Sequence, residues 1–305
     1  MKKEEMQTVV VETVSQQHQL IGLGKPKHPL VSLFRFDQVP QAVLNQKVKF
    51  ISHLYQITLK RDCPCKVHYG QTPYDFDEGL MSFFAPNQVQ LIEPGAWQPQ
   101  SGWCLLIHPD FIRGHPLQQK IKQYGYFGYA LNEALVLSED EETMIEAILL
   151  QLVQEIKLPI DHFSQDITLA NIDLLLAYCH RYYTRQFIVR KPLSTSLIQK
   201  VEGLLASYFE HTAQTIGLPT PSSLAAQLNV SPKYLSDCLK NQSGRTTQQL
   251  IHDKLVEQAK DILATTDLTV AEIAYRLGFE FSQSLSKLFK SKTHQTPTEY
   301  RRSFN

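Results

Sequence analysis

Two stretches of the chain carry polar side chains at helical spacing on a repeated apolar framework. Residues 224–240 read LAAQLNVSPKYLSDCLK and residues 273–290 read IAYRLGFEFSQSLSKLFK. Leu224, Ala225 and Leu228 recur as Ile273, Ala274 and Leu277 at an offset of 49, and Leu235, Leu239 and Lys240 recur as Leu285, Phe289 and Lys290 at an offset of 50. Each copy is expected to form a short helix, a tight break and a second helix whose polar residues face outward. That layout is a helix-turn-helix, and its chemistry is hydrogen bonding to base edges and phosphates once the second helix lies in the DNA major groove.

The elements that must hold those side chains are legible in the same residues. Ala225 and Ala274 are small where the two helices of a unit cross. Asn229 and Gly278 stand at the break, and both residue types tolerate a left-handed backbone. Ser231 before Pro232 is a strong helix start, an N-cap followed by proline in the first helical position. A plain helical bundle could use such turns once; two copies in register make it the weaker reading. The units span about 222–241 and 270–291, joined by a helix expected at Thr247–Leu263. A helix at Leu197–His211 precedes them and a short one from Pro297 follows. Residues 188–196 (IVRKPLSTS) read as a linker, with Pro192 and the Ser/Thr run ending the helix before it.

The bulk numbers bound what else is possible. The chain has 305 residues, enough for two domains, with 43% hydrophobic and 20% charged residues and a net charge of zero. Zero net charge argues against nonspecific coating of nucleic acid but leaves room for a local basic surface. From residue 195 onward there are twelve Lys and Arg against ten Asp and Glu, so geometry and base contacts must supplement phosphate attraction. Five scattered cysteines make no disulfide framework. The first residues show no signal peptide, and no apolar run approaches the ~20 residues of a membrane span. These features predict a cytoplasmic protein that does not enter membranes.

The C-terminal region resembles the DNA-binding domain of the AraC family of bacterial transcription regulators. The resemblance rests on Ile273-Ala274, Leu277-Gly278-Phe279, Phe289-Lys290, Thr296-Pro297 and Tyr300-Arg301 in order and spacing. Val230-Ser231-Pro232, Tyr234-Leu235-Ser236 and Ser243-Gly244 carry it in the first unit. It covers residues 197–303. It implies two recognition helices on successive major-groove faces of double-stranded promoter DNA. The candidate DNA-binding residues are Ser231, Lys233, Ser236, Asp237 and Lys240 in the first unit, and Ser282, Gln283, Ser286, Lys287 and Lys290 in the second. Gln can pair with adenine, Lys can reach guanine and Asp can accept from cytosine N4. Lys240, Lys290, Arg276 and Arg301 suit phosphates. Three residues depart from the family pattern: Asp237 where Arg is common, Leu239 for a core Phe, and His294 where Gly usually ends a helix.

Residues 1–190 form the other expected part. Residues 1–27 are polar and read as loosely held, with a short helix over 14–24 ending at Gly22 or Gly24. Residues 29–137 carry short apolar runs (Leu30–Phe36, Phe50–Leu59, Lys66–Tyr69, Leu80–Ala85, Trp103–Ile107) broken by turn residues such as Pro86-Asn87 and Pro94-Gly95, which predicts an antiparallel sandwich or barrel. Two long helices follow, over 139–156 with a stripe of Met144, Ile148, Leu152 and Ile156, and over 168–187 with Leu169, Ile172, Leu176, Cys179, Tyr183 and Phe187. The expected fold class is therefore α+β: a β-rich domain with two long helices, then an all-α domain. The family resemblance makes the β part cupin-like, a sensor of a small molecule or a dimerisation domain, and makes the protein a homodimer.

No catalytic constellation is present, and the reading is non-enzymatic. A metal-dependent cupin enzyme is the rival, but its usual His-x-His pair is absent, and His53, His68 and His108 are isolated. Cys63, Cys65 and His68 have ligand types for zinc but lack an evident fourth ligand, so no metal site and no cofactor are assigned. A further alternative is a ligand-independent DNA-binding dimer.

Overall fold

The computed structural model describes residues 7–40, 47–61, 67–69, 72–74, 79–92, 100–130, 133–189, 191–211 and 217–303. The chain divides into two compact units, Met1–Gln186 and Phe187–Asn305.

In the first unit, β1 (Gln7–Val11) pairs in parallel with β3 (Val48–Ser52), which pairs antiparallel with β8 (Val89–Ile92). The larger sheet is antiparallel throughout. Its order is β10 (Leu135–Val136), β7 (Leu80–Phe84), β4 (Tyr55–Arg61), β9 (Ser101–Ile107), β2 (Val31–Arg35). A small hairpin joins β5 (Val67–Tyr69) and β6 (Thr72–Tyr74). Strand alternation sends the large sheet's side chains to two faces. One face carries Ile57, Leu59, Met81, Phe83 and Leu105, all buried. The other contributes Phe34, Cys104 and Leu106 to a core cluster with Val11, Val14, Phe50 and Leu54 of the small sheet and its flanks. The two sheets thus form a β-sandwich. Gly102 is obligatory within it: its φ is +108°, and a Cβ there would sit 2.0 Å from the Leu59 carbonyl oxygen.

The helices of this unit are α1 (Val14–Leu20), α2 (Leu117–Gln123), α3 (Glu139–Lys157) and α4 (Ser164–Val189). The first face of the large sheet meets α4: the Cys179 thiol lies 3.8 Å from the Met81 sulfur, and Phe83 packs on Tyr126 and Tyr183. Burial pushes the Cys179 thiol well up, as befits a structural cysteine. Arg61, at the end of β4, bonds Glu142 and Glu146 of α3, and Trp103 also donates to Glu146. The Arg61 guanidinium holds the Glu146 carboxyl below its ordinary range.

Several expectations need correction. The N-terminal segment is built into the fold: Val11 and Val14 are buried, and α1 starts with a Thr13/Gln16 capping box. Local sequence hid this because β1 pairs with a strand 41 residues further on. The run Phe50–Leu59 is two strands of different sheets, turned at His53-Leu54, where the Ser52 hydroxyl accepts from the Leu54 amide. In α3 the buried stripe is Ile145, Ile148, Leu149 and Leu152, and Met144 is exposed. The whole stripe expected on α4 is buried. Asn87 has φ 67° at its turn, whereas Pro94-Gly95, Cys63 and Cys65, and the His68 side chain lie outside the described residues. The expected linker is helical: α4 runs to Val189, and α5 (Lys191–His211) starts with Pro192 in its first turn, where a missing amide is harmless.

The second unit is all helical. After α5 come α6 (Pro221–Gln227), α7 (Pro232–Ser243), α8 (Thr247–Thr265), α9 (Val270–Arg276), α10 (Ser282–Thr293) and α11 (Pro297–Arg302). Their common core contains Leu224, Leu235, Leu239, Ile251, Leu255, Ala259, Leu263, Ile273, Leu277, Leu285 and Phe289. Among the described residues no helix is long and apolar enough to cross a membrane.

Candidate nucleic-acid interface

The sequence repeat becomes a backbone repeat. Helix α6 starts from Thr220 and α9 from Thr269, each accepting a hydrogen bond from the third amide of its helix in a capping box. Asn229 (φ 55°) and Gly278 (φ 89°) both turn left-handed after those helices. The next amides, of Val230 and Phe279, then donate back to the carbonyls of Ala225 and Ala274 at 3.0 and 2.9 Å. The second helices end alike, with Gly244 (φ 71°) and His294 (φ 62°) in left-handed caps that donate to Lys240 and Lys290. The units differ by one residue in the break: Val230-Ser231 precede α7, and Phe279-Glu280-Phe281 precede α10.

Burial fixes which face of each second helix points outward. Tyr234, Leu235, Cys238 and Leu239 of α7 are buried, as are Leu285 and Phe289 of α10. Lys233, Ser236, Asp237 and Lys240 fall at i, i+3, i+4 and i+7, and Gln283, Ser286, Lys287 and Lys290 repeat that spacing, so each set shares one outward helix face. Lys233, Lys240, Gln283, Lys287 and Lys290 are exposed, and Ser236, Asp237, Ser282 and Ser286 are half-buried. Some of these groups also have partners within the protein. Ser231 caps α7 by accepting from the Tyr234 amide at 3.1 Å. The Ser286 hydroxyl donates to the Ser282 carbonyl at 3.1 Å. Lys233 and Asp237 form an ion pair at 3.4 Å, so the aspartate that would repel phosphate is partly neutralised within its own helix.

Arg301 is corrected as a phosphate candidate. Its guanidinium donates to the carbonyls of Leu263 and Leu268 at 3.2 and 2.6 Å, tying α11 to the end of α8. Arg276 remains exposed. Sequence reasoning missed Asp253 of α8, which receives Arg245 from beyond α7 at 2.9 Å and Lys292 of α10 at 2.7 Å. Its signal is an acid on the joining helix between a basic residue just past the end of α7 and another in the last turn of α10. Phe281 was also missed. It stands at the N-cap of α10, makes no side-chain cap bond and is 62% exposed.

This geometry defines a protein with two helix-turn-helix units, each presenting one polar helix face. Residues 224–303 match the family model described as a helix-turn-helix domain. An uncharacterised HTH-type transcriptional regulator, YijO of Escherichia coli, is 25% identical over 236 residues, covering 75% of this chain and 78% of the relative. The xylose operon regulatory protein of Haemophilus influenzae is 32% identical over 74 residues, 24% of this chain and 19% of the relative; the chain thus spans less than a fifth of that protein. Among solved structures, the C-terminal domain of the two-component response regulator YesN from Fusobacterium nucleatum is 33% identical, covering 33% of this chain and 96% of that one, with a TM-score of 0.30. The chain is a DNA-binding transcription regulator, and residues 224–303 form its helix-turn-helix domain.

The left-handed cap at His294 gives a direct test of the backbone repeat. His294→Gly, which copies Gly244 of the first unit, should stabilise the domain by about 0.5–1 kcal/mol because only a residue without Cβ adopts that φ freely. Urea denaturation measures this, and a loss of stability would contradict the assigned geometry.

Proposed function

We propose that the two polar faces are base-reading surfaces and that the protein binds a bipartite promoter site through α7 and α10. The observation that carries this reading is the matched placement of polar residues at 233, 236, 237 and 240 and at 283, 286, 287 and 290, on the outward face of each helix. Both sets lie on second helices of units sharing one backbone geometry. Ser231, Lys233, Ser236, Asp237 and Lys240 serve the first half of the site, and Ser282, Gln283, Ser286, Lys287 and Lys290 the second. Helix α10 carries three lysines and no acid, while α7 carries two lysines and Asp237, so α10 provides more of the phosphate attraction. In this reading the protein works in the cytoplasm, where promoter DNA is, and has no catalytic task.

Two further parts of the reading concern the first unit. A second apolar stripe supports homodimerisation: Phe163, just before α4, and Ile167, Ala170, Leu174 and Ala177 on it, spaced four and three residues apart, are exposed although the opposite stripe is buried. That spacing is the seam of a coiled coil, which a second copy of the same helix would cover. Modulation by a small molecule is supported by Lys60. It lies on the face of β4 that carries Gln56 and Thr58, opposite Gly102 of β9. Burial lowers its pKa, partly offset by the charge of Cys104 nearby. An ammonium held there suits a small organic carboxylate.

Three experiments check these readings. Selection from random duplex DNA by the full-length protein should enrich two short motifs about one helical turn apart, and Gln283→Ala should weaken the selected site by ~1–3 kcal/mol while relaxing one base position. Enrichment of no motif would end the DNA-reading assignment. Leu174→Glu should turn a dimer into a monomer in sedimentation equilibrium; a wild-type monomer, or a dimer indifferent to the change, would remove the α4 seam. A panel of carboxylate metabolites should include one that raises the melting temperature of wild type but not of Lys60→Met. If none does, the ligand-independent DNA-binding dimer becomes the better description.

A further inference from the structure

We propose that Phe281 is a specificity residue of the second unit, laying its ring against the C5-methyl group of a thymine in the major groove. This rests on the DNA-reading function proposed above.

Two independent observations lead to it. The first is position. Helices α6, α7, α8, α9 and α11 each start from a Ser or Thr whose hydroxyl accepts from the third residue's amide: Thr220, Ser231, Thr246, Thr269 and Thr296. Only α10 among these six starts from an apolar residue, and its N-cap provides no side-chain hydrogen bond. A Ser or Thr cap is generally favourable, so Phe281 is the poorer choice for the helix itself. The second is exposure. Phe281 is 62% exposed, whereas the neighbouring Phe279 is 6% exposed and fills the core. The side chain therefore serves neither the helix start nor the packing.

What it faces follows from the unit. Phe281 shares a shallow cleft with Tyr275, which is 67% exposed, and with Gln283, the foremost side chain of the reading face. Residues at the N-terminal end of a recognition helix are the ones that reach base edges. Along the major groove the thymine methyl is the one apolar group a base pair offers, and Phe is among the side chains that contact it. The ring would exclude water from that methyl, while Gln283, two residues on, makes polar contacts with a neighbouring base. The first unit has Ser231 in the corresponding place, so this apolar readout belongs to one half of the site only.

The test uses the full-length protein on the site it selects from random DNA. Each thymine of that site is replaced in turn by uracil, which removes the methyl group and keeps every hydrogen-bonding group. Wild type should lose about three- to tenfold in affinity at one thymine position in the α10 half, the scale expected for one buried methyl. Phe281→Ser should bind the thymine and uracil sites equally at that position, while its melting temperature stays the same or rises because Ser restores the cap. No uracil-sensitive position for wild type in that half, or an unchanged thymine preference in Phe281→Ser, overturns the proposal with the DNA-reading function intact. Failure to select any motif overturns both together.

Discussion

The arrangement of the two reading helices depends on α8. This helix belongs to both units at once: Ile251, Leu255, Val256, Ala259 and Leu263 form one buried stripe that contributes to the core shared by α7 and α10. If the two helices engage two stretches of one duplex as proposed, they need a fixed separation and a fixed rotation. A well-packed helix gives both, because protein interiors are too dense to deform continuously. Asp253 adds a polar fastening on the outer side of the same helix, drawing Arg245 from the first unit and Lys292 from the second to one carboxylate. Arg301 then closes the far end through the Leu263 and Leu268 carbonyls. The outward-facing polar residues of α7 and α10 themselves contribute little to this frame.

The second unit was readable in advance because its determinants are local. Small residues at helix crossings, Asn or Gly at a left-handed turn, Ser or Thr at helix starts and an apolar stripe every three to four residues all act within a dozen positions. Even the departure at His294 behaves as the sequence implied, with a left-handed φ of 62°. The misreadings were of another kind. Arg301 looks like a phosphate ligand in sequence, but it is bound to carbonyls 33 and 38 residues earlier, a contact only folding creates. The linker expected at 188–196 is helical because Pro192 sits in the first turn of α5, where proline is compatible with a helix.

The first unit was less legible for the same physical reason. Its strands pair across long separations, so a run such as Phe50–Leu59 gives no sign that the chain changes sheet at Ser52. The N-terminal valines have the composition of an ordinary strand, but their partner β3 is distant in sequence. By contrast every residue of the stripe expected on α4 is buried, with Leu175 and Tyr182 buried beside it, because helical periodicity needs no partner to be recognised. The exposed second stripe begins at Phe163 and Ile167, before the helix expected from residue 168, so the expected helix shows only part of it.

The two reading helices share a backbone but differ in chemistry, and the difference divides their work. Helix α7 is capped by Ser231 and ties Lys233 to Asp237, so part of its charge is already satisfied before DNA arrives. A face of that kind adds little nonspecific attraction. Its contribution must come from geometry and from groups that exchange one partner for another. Helix α10 carries Lys287, Lys290 and Lys292 without an acid, although Lys292 is held by Asp253. It also starts from an exposed aromatic residue in place of a cap. Cationic charge supplies affinity at any sequence, and apolar contact with a base edge supplies selectivity without competing for water. On the proposed reading, the second unit would hold DNA and choose a site, and the first would confirm the register at the distance α8 sets.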